Sequence, residues 1–240
     1  FAFDTETTGL NAAGVNLVGV SMALTPGKAY YVPLRHGLKS YESGDLQGGL
    51  NFSEGMADSY PQIPFETAMA LLRPVLEDPA ILKIGHNLKY DSHVLHWPRI
   101  GGINLSPVDD TMCLYYVLDG GRLGGHSMDY LAKHWLDHDT IKFSDVCGKG
   151  VKQIPFGSLT PEEALEYAAE DADITLRLWH LFRPRLGPER LVSVYERLER
   201  PLIPILAKME ATGIKVDRTI LARMSNDFAG RMASLQIEIH

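Results

Sequence analysis

The sequence predicts an α/β fold, a mixed β-sheet flanked by helices, and three observations carry that expectation. Strand-like segments come first and in succession, with turn signals between them, which is the pattern of an antiparallel meander. A short apolar strand then alternates with helical segments, adding covering helices to the sheet. Finally, Thr160-Pro161-Glu162-Glu163 is a strong helix start, with Thr at the N-cap, Pro at the first helical position and Glu at the third.

Each element follows from its local pattern. Residues 1–4 read as a strand, followed by a loop around Gly9 to Gly14. Residues 16–24 and 29–33 read as two more strands, joined by the turn Thr25-Pro26-Gly27-Lys28. Residues 35–64 are rich in Gly, Ser, Asp and Tyr without clear periodicity and read as a long surface loop. Phe65, Ala68, Met69, Leu72 and Leu76 fall at helical spacing. A short apolar strand over 81–86 precedes a helix over 88–97. Residues 111–118 and 127–136 read as further helices, and 140–156 as a loop bearing Lys142, Phe143, Lys149 and Lys152. The helix opened by Thr160 continues to about Phe182.

Gly187-Pro188 marks a boundary, with one domain expected over 1–187 and a helical segment over 188–240. In that segment Leu191, Val194, Tyr195, Leu198, Leu202, Ile205 and Met209 form an amphipathic stripe, interrupted by Pro201 and Pro204 and read as a domain-packing face. Thr212-Gly213 ends it, residues 214–216 are extended, and Asp217 caps a last helix.

The chain has 240 residues, 45% hydrophobic and 22% charged, room for one large domain or one domain with part of a second. No apolar run approaches the roughly 18 residues of a membrane span and no signal peptide opens the chain, so a cytoplasmic protein without a membrane partner is expected. Cys113 and Cys147 are too few for a disulfide framework and read as reduced thiols, Cys113 as buried helix packing. The net charge of −7 argues against a free-standing nucleic-acid binder, because neutralising phosphates takes Lys and Arg. It does not argue against a nuclease site, whose carboxylates are part of the negative total. Affinity would then come from bound cations or from protein outside this chain. Both ends read as interrupted, since Phe1-Ala2-Phe3 runs directly into a motif and Gln236 to His240 lies mid-helix. A piece of something longer is expected.

Three acidic clusters look like separated pieces of one metal site: Asp4-Thr5-Glu6, Asn87 to Asp91 in NLKYD, and Tyr167 to Asp171 in YAAED. In an extended segment Asp4 and Glu6 share a face while Thr5 points away. On a helix the four-residue spacing keeps Tyr167 and Asp171 on one surface. Four carboxylates and a phenol form a hard oxygen site suited to Mg²⁺ or Mn²⁺. Two such ions can clamp a phosphodiester and activate water, so a metal-dependent nuclease is expected.

At these residues the chain resembles the 3′–5′ proofreading exonuclease domain of bacterial DNA polymerase I, the Tyr subclass of the four-acidic-residue exonucleases, with a ribonuclease-H-like fold. Asp4 and Glu6 match its Asp-x-Glu motif, Asn87 and Asp91 its Asn-x-x-x-Asp motif, and Tyr167 and Asp171 its Tyr-x-x-x-Asp motif. From about Tyr195, ERLERPLIPILAKMEATGIKVD looks like the family's lead-in to a polymerase domain. Two departures stand out: the 35–64 loop is longer than the family's, and Gly125 occupies a position where the family often has Arg, with Arg122 the nearest arginine.

The resemblance implies a two-metal site, with Zn²⁺ possible at one position. Asp4 would bridge both ions, Glu6 and Asp171 would hold the one beside the attacking water, and Asp91 would act on the ion at the leaving 3′-oxygen. Tyr167 would orient the water, because a phenol near pKa 10 is a poor base at pH 7. The implied partners are a single-stranded or frayed DNA 3′ end and a polymerase domain in the same polypeptide, in a monomer. An exoribonuclease of the RNase D type and a catalytically silent structural domain are the alternatives.

Several residues carry two readings. Asn87 caps the helix that follows it, approaches the substrate's terminal nucleotide, or does both. Leu10 and Phe143 match positions where the family wedges apolar side chains against terminal bases, or are core residues; Thr7 is a candidate substrate contact by its place after Glu6. Glu170 and Asp173 read as a charged exposed face, with Asp173 pairing with Arg177. His134 and His138 have zinc-ligand spacing without further ligands and read as surface histidines.

Overall fold

The structure, a computed structural model, describes residues 1–37, 60–120, 122 and 124–239. Its strands are β1 (Ala2–Thr7), β2 (Leu17–Thr25), β3 (Lys28–Pro33), β4 (Lys83–Gly85) and β5 (Val108–Asp110), in the order β3-β2-β1-β4-β5. The first three form the expected antiparallel meander, whereas β4 and β5 add in parallel to β1. The helices are α1 (Phe65–Leu76), α2 (Leu88–His96), α3 (Thr111–Asp119), α4 (Met128–Leu136), α5 (Phe143–Cys147), α6 (Pro161–Phe182), α7 (Val192–Val194), α8 (Arg200–Thr212) and α9 (Arg218–Ile239). A π-helical turn over Tyr195–Glu199 joins α7 to α8.

The two faces of β1 organise the molecule. Ala2 packs against Ala172 and Leu176 of α6, while Phe3 packs in a core with Met69 and Leu76 of α1 and Val94 and Leu95 of α2. The alternation therefore sends Asp4 and Glu6 toward the α6 side and Thr5 toward the α2 side. α6 is long enough to cross β1 to β4 because its start is secured. Thr160 Oγ1 accepts from the Glu163 N–H and Glu163 accepts from the Thr160 N–H, the expected capping box.

β4 ends at Gly85 because α2 turns back immediately over it. A Cβ there would lie 2.2 Å from Leu88 Cδ1 and 3.1 Å from Leu88 Cβ, so any larger residue would have to displace the fully buried Leu88 side chain. The strand is shorter than the 81–86 reading, and it opens on the fully buried Lys83, whose Nζ donates to the Asp78 and Ser106 carbonyls. Edge strand β5, with only Val108 apolar among its three residues, has no counterpart in the sequence reading.

Other expectations are corrected. The 140–156 segment holds α5 and a 3₁₀ turn over Gly150–Lys152. The stripe after 187 is only partly a packing face: Tyr195, Ile203 and Ala207 are buried, but Leu198, Leu202, Ile205 and Met209 are exposed. Asp217 does cap α9 through the Thr219 and Ile220 N–H groups. Most of the expected 35–64 loop, residues 38–59, lies outside the described residues. Among the described residues no helix is long and apolar enough to cross a membrane.

Candidate active site

The C-terminal end of β1, the start of α2 and the middle of α6 meet at a cavity of about 930 Å³. Asp4, Glu6, Thr7, Leu10, Asn87, Asp91, Phe143, Tyr167 and Asp171 all line it. Asp4, Glu6 and Asp171 each offer a carboxylate oxygen within 4.8 Å of the other two. Glu6 is 8% exposed, and its Oε1 is buried with no hydrogen-bond partner among the described residues. Burying like charges together disfavours their ionised forms. Burial first, and then Asp171, pushes the Asp4 carboxyl well above the usual range. Burial, then Asp4, Asp171 and Asp91, does the same to Glu6. Asp171 is pushed up to about 7, by burial first and then by Glu170 and Asp129. Three crowded carboxylates, one with a buried oxygen that has no partner among the described residues, fit a divalent cation, which would supply the missing charge.

Asp91 reaches the same cavity from α2 but stands outside that three-residue group. Its Oδ1 accepts from both the Thr5 N–H at 3.0 Å and Thr5 Oγ1 at 2.5 Å. The residue whose side chain points away from Asp4 and Glu6 thus anchors the carboxylate arriving from the other layer. Sequence reasoning missed Thr5; its place between two candidate ligands was the available signal. Asn87 occupies the N-cap position of α2, but in the left-handed region at φ 62° and with no side-chain cap bond. Asn tolerates that conformation better than most residues. The expected capping is instead done by Asp110, whose oxygens accept from the Asn87 N–H at 3.2 Å and the Leu88 N–H at 2.7 Å.

Burial, followed by the charges of Asp171, Glu6 and Asp4, raises the Tyr167 phenol pKa far above normal. It stays neutral, so it can donate a hydrogen bond but not act as a base. Phe143 opens α5 rather than lying in a loop, is 40% exposed, and meets Tyr167 edge-on at 6.3 Å and Phe156 stacked at 6.5 Å. Leu10 is 96% exposed, which excludes the core reading. Its loop is pinned by Tyr90, whose hydroxyl lies 2.6 Å from both Thr7 Oγ1 and the Gly9 carbonyl. Thr7 is therefore engaged within the loop that presents Leu10. Tyr90 and Phe156 are cavity residues the sequence reading did not single out.

Glu170 is not on an exposed face: it accepts from His138 Nε2 at 2.7 Å and the Ile141 N–H at 2.6 Å, holding the segment before Phe143. Asp173 pairs with Arg177 at 2.7 Å as expected and also accepts from the Gly27 N–H, which the exposed-face reading did not anticipate. His134 stacks on Tyr130. Cys113 packs against the core with its thiol pushed up to about 12 by burial, and Cys147 up to about 11 by burial.

A family model described as 3′–5′ exonuclease matches residues 1–187. This chain belongs to the 3′–5′ exonuclease family. It is 47% identical over 248 residues to DNA polymerase I of Rhizobium leguminosarum, covering 100% of this chain and 23% of that protein. The exonuclease chain thus spans about a quarter of that relative's length. Among solved structures it is similar to the POL domain of Pol1 from M. smegmatis in complex with DNA primer-template and dNTP (TM-score 0.65, 19% identity, 97% of this chain and 32% of that one). It is also similar to Brucella melitensis NrnC with bound Mg²⁺ (TM-score 0.60, 21% identity, 90% of this chain and 88% of that one). These structural likenesses show the fold, a mixed five-stranded sheet flanked by helices.

Proposed function

We propose that this exonuclease domain removes nucleoside monophosphates from single-stranded or frayed DNA 3′ ends by two-metal-ion hydrolysis, proofreading for a polymerase domain in the same polypeptide. The observation that carries the reading is the group of Asp4, Glu6 and Asp171, with Glu6 Oε1 buried and unpartnered among the described residues, on the wall of a cavity that also presents Leu10 and Phe143. Those three carboxylates would hold one cation, shared through Asp4 with a second that Asp91 addresses; Mg²⁺ or Mn²⁺ suits such oxygen donors. When bound, the ions would neutralise the carboxylates, polarise the phosphodiester and activate water.

The chain's own residues supply position. Thr5 fixes the approach of Asp91 by two hydrogen bonds to one oxygen. Tyr167, neutral and held by ring contacts with Phe143 and Phe156, would donate its one O–H to the attacking water. Leu10 and Phe143 wedge the terminal bases, each stacked base contributing roughly 1–3 kcal/mol without sequence preference. Asn87 lies at the same wall to meet the terminal nucleotide. Mispaired ends fray and present a single strand, which gives selectivity without reading sequence. Residues 188–240 form the lead-in to the polymerase domain, a division supported by the relative's name and by the apolar surface left exposed on α8 and α9.

The deciding experiment follows 5′-labelled DNA and RNA strands of one sequence with Mg²⁺ or with chelator. Stepwise Mg²⁺-dependent shortening of DNA from its 3′ end is expected. Preference for RNA would favour an exoribonuclease, and no shortening of either would leave a silent domain.

A further inference from the structure

Beyond residue 187 the chain reaches back to strand β5, whose end supports the site. Tyr195, in the π-helical turn, is fully buried, and its hydroxyl donates to Asp109 Oδ1 at 3.1 Å while accepting from the Asp110 N–H at 3.1 Å. One turn later, Arg200 Nε donates to the Val108 carbonyl at 2.7 Å. Strand β5 lies at the sheet edge, so the Val108 carbonyl and the Asp110 N–H face away from β4. An edge strand's outward groups need partners when they are covered, and here side chains stand where another strand would pair. The Asp109 carboxylate, 1% exposed, also accepts from Trp179 Nε1 and pairs with Arg183 and Arg200 at 3.3 Å each.

The clamped strand end carries Asp110. Its carboxylate caps α3 through the Met112 and Cys113 N–H groups and also holds the Asn87 and Leu88 N–H groups at the start of α2. Asn87 makes no side-chain cap bond of its own, so the first turn of α2, which bears Tyr90 and Asp91, hangs on Asp110. A continuous line of hydrogen bonds therefore runs from the helix after 187, through Tyr195 and Asp110, to the turn that aims Asp91 into the cavity.

We propose that Tyr195 is a positioning residue of the exonuclease site, acting through Asp110, so that the segment over 192–200 is a working part of the nuclease. The role rests on the nuclease reading above. Groups hydrogen-bonded directly to metal ligands typically matter about 10–100-fold when removed, and Tyr195, standing further back, is expected at the low end of that range.

The test is Tyr195→Phe in the full chain, which keeps the ring and removes the hydroxyl. Three readouts are compared with wild type: single-turnover cleavage of a single strand with Mg²⁺, binding of that strand in Ca²⁺, and amide exchange at Asn87 and Leu88. The variant is expected to cleave about 10-fold more slowly at the low end of that range, to bind the strand equally well, and to exchange those amides faster. Leu186→Val is the control, because Leu186 shares Tyr195's core cluster and makes none of the β5 hydrogen bonds; its rate and its exchange at Asn87 and Leu88 should match wild type. An active wild type with an equally fast Tyr195→Phe overturns this role alone. Slowing with unchanged exchange, or equal slowing in Leu186→Val, reduces Tyr195 to general packing and also overturns it. A wild type that releases no nucleotide overturns the nuclease reading and this role with it.

Discussion

Two acidic pairs sit near the C-terminal ends of strands in the same sheet, and they are treated in opposite ways. Asp109 and Asp110 on β5 are each 1% exposed, yet are surrounded by donors: a Trp, a Tyr and two Arg side chains for Asp109, and four helix N–H groups for Asp110. Asp4 and Glu6 on β1 crowd other carboxylates instead, and a Glu6 oxygen is buried without a partner among the described residues. Burial of a charge is tolerated when paired and costly when not. The satisfied pair holds the framework; the crowded pair carries a demand for positive charge that the proposed cation would meet.

The largest effect expected from breaking this contrast is on activity. Asp4→Ala with Glu6→Ala should abolish Mg²⁺-dependent nucleotide release while thermal unfolding in chelator stays similar or moves higher, since like charges are removed. Persisting release would sink their assignment as ligands. The mirror-image change, Asp109→Ala, leaves the Trp179 Nε1 and Tyr195 hydroxyl donors without their acceptor while Arg183 and Arg200 keep Glu196, and should cost about 1–3 kcal/mol of stability, read by urea unfolding. A loss below about 1 kcal/mol would show the network to be worth no more than a surface ion pair.

Tyr167→Phe should slow single-turnover cleavage by roughly 10²–10³-fold, the cost of one oriented donor in a preorganised site, while cation binding stays measurable. An unchanged rate would reduce Tyr167 to packing beside Asp171.

The smallest expected effect is a pH trend. Asp4, Glu6 and Asp91 are raised well above the usual range, and Asp171 is raised to about 7. Between the unfolded carboxylate range near 4 and pH 7, the native state then holds more protons than the unfolded one. Stability without metal should therefore fall as pH rises across that window, the reverse of a salt-bridged carboxylate. Melting temperatures in chelator from pH 4.5 to 7.5 would show it, and saturating Mg²⁺ should flatten the slope because bound metal requires deprotonated ligands. Four Ala variants tested singly at those carboxylates would show which one sets the trend.

Much of the site was legible because its signals are local. The two-residue period of a strand puts Asp4 and Glu6 on one face, and the four-residue spacing of a helix aligns Tyr167 with Asp171, whatever the rest of the chain does. The Thr160 capping box and the Asp217 cap were legible for the same reason. Residue chemistry alone also indicated hard oxygen ligands. What tertiary structure decided are long-range relations that no spacing encodes. β5 is a strand only because β4 pairs with it. Glu170 is a strut only because the 138–141 segment folds over α6. Asn87 leaves its capping to a residue 23 positions away, since the left-handed turn sets α2's first N–H groups against Asp110. Thr5 holds Asp91 across 86 positions because the two layers meet at β1. Sequence determined which groups share a face; only packing decided which buried oxygens received a donor and which were crowded against other carboxylates.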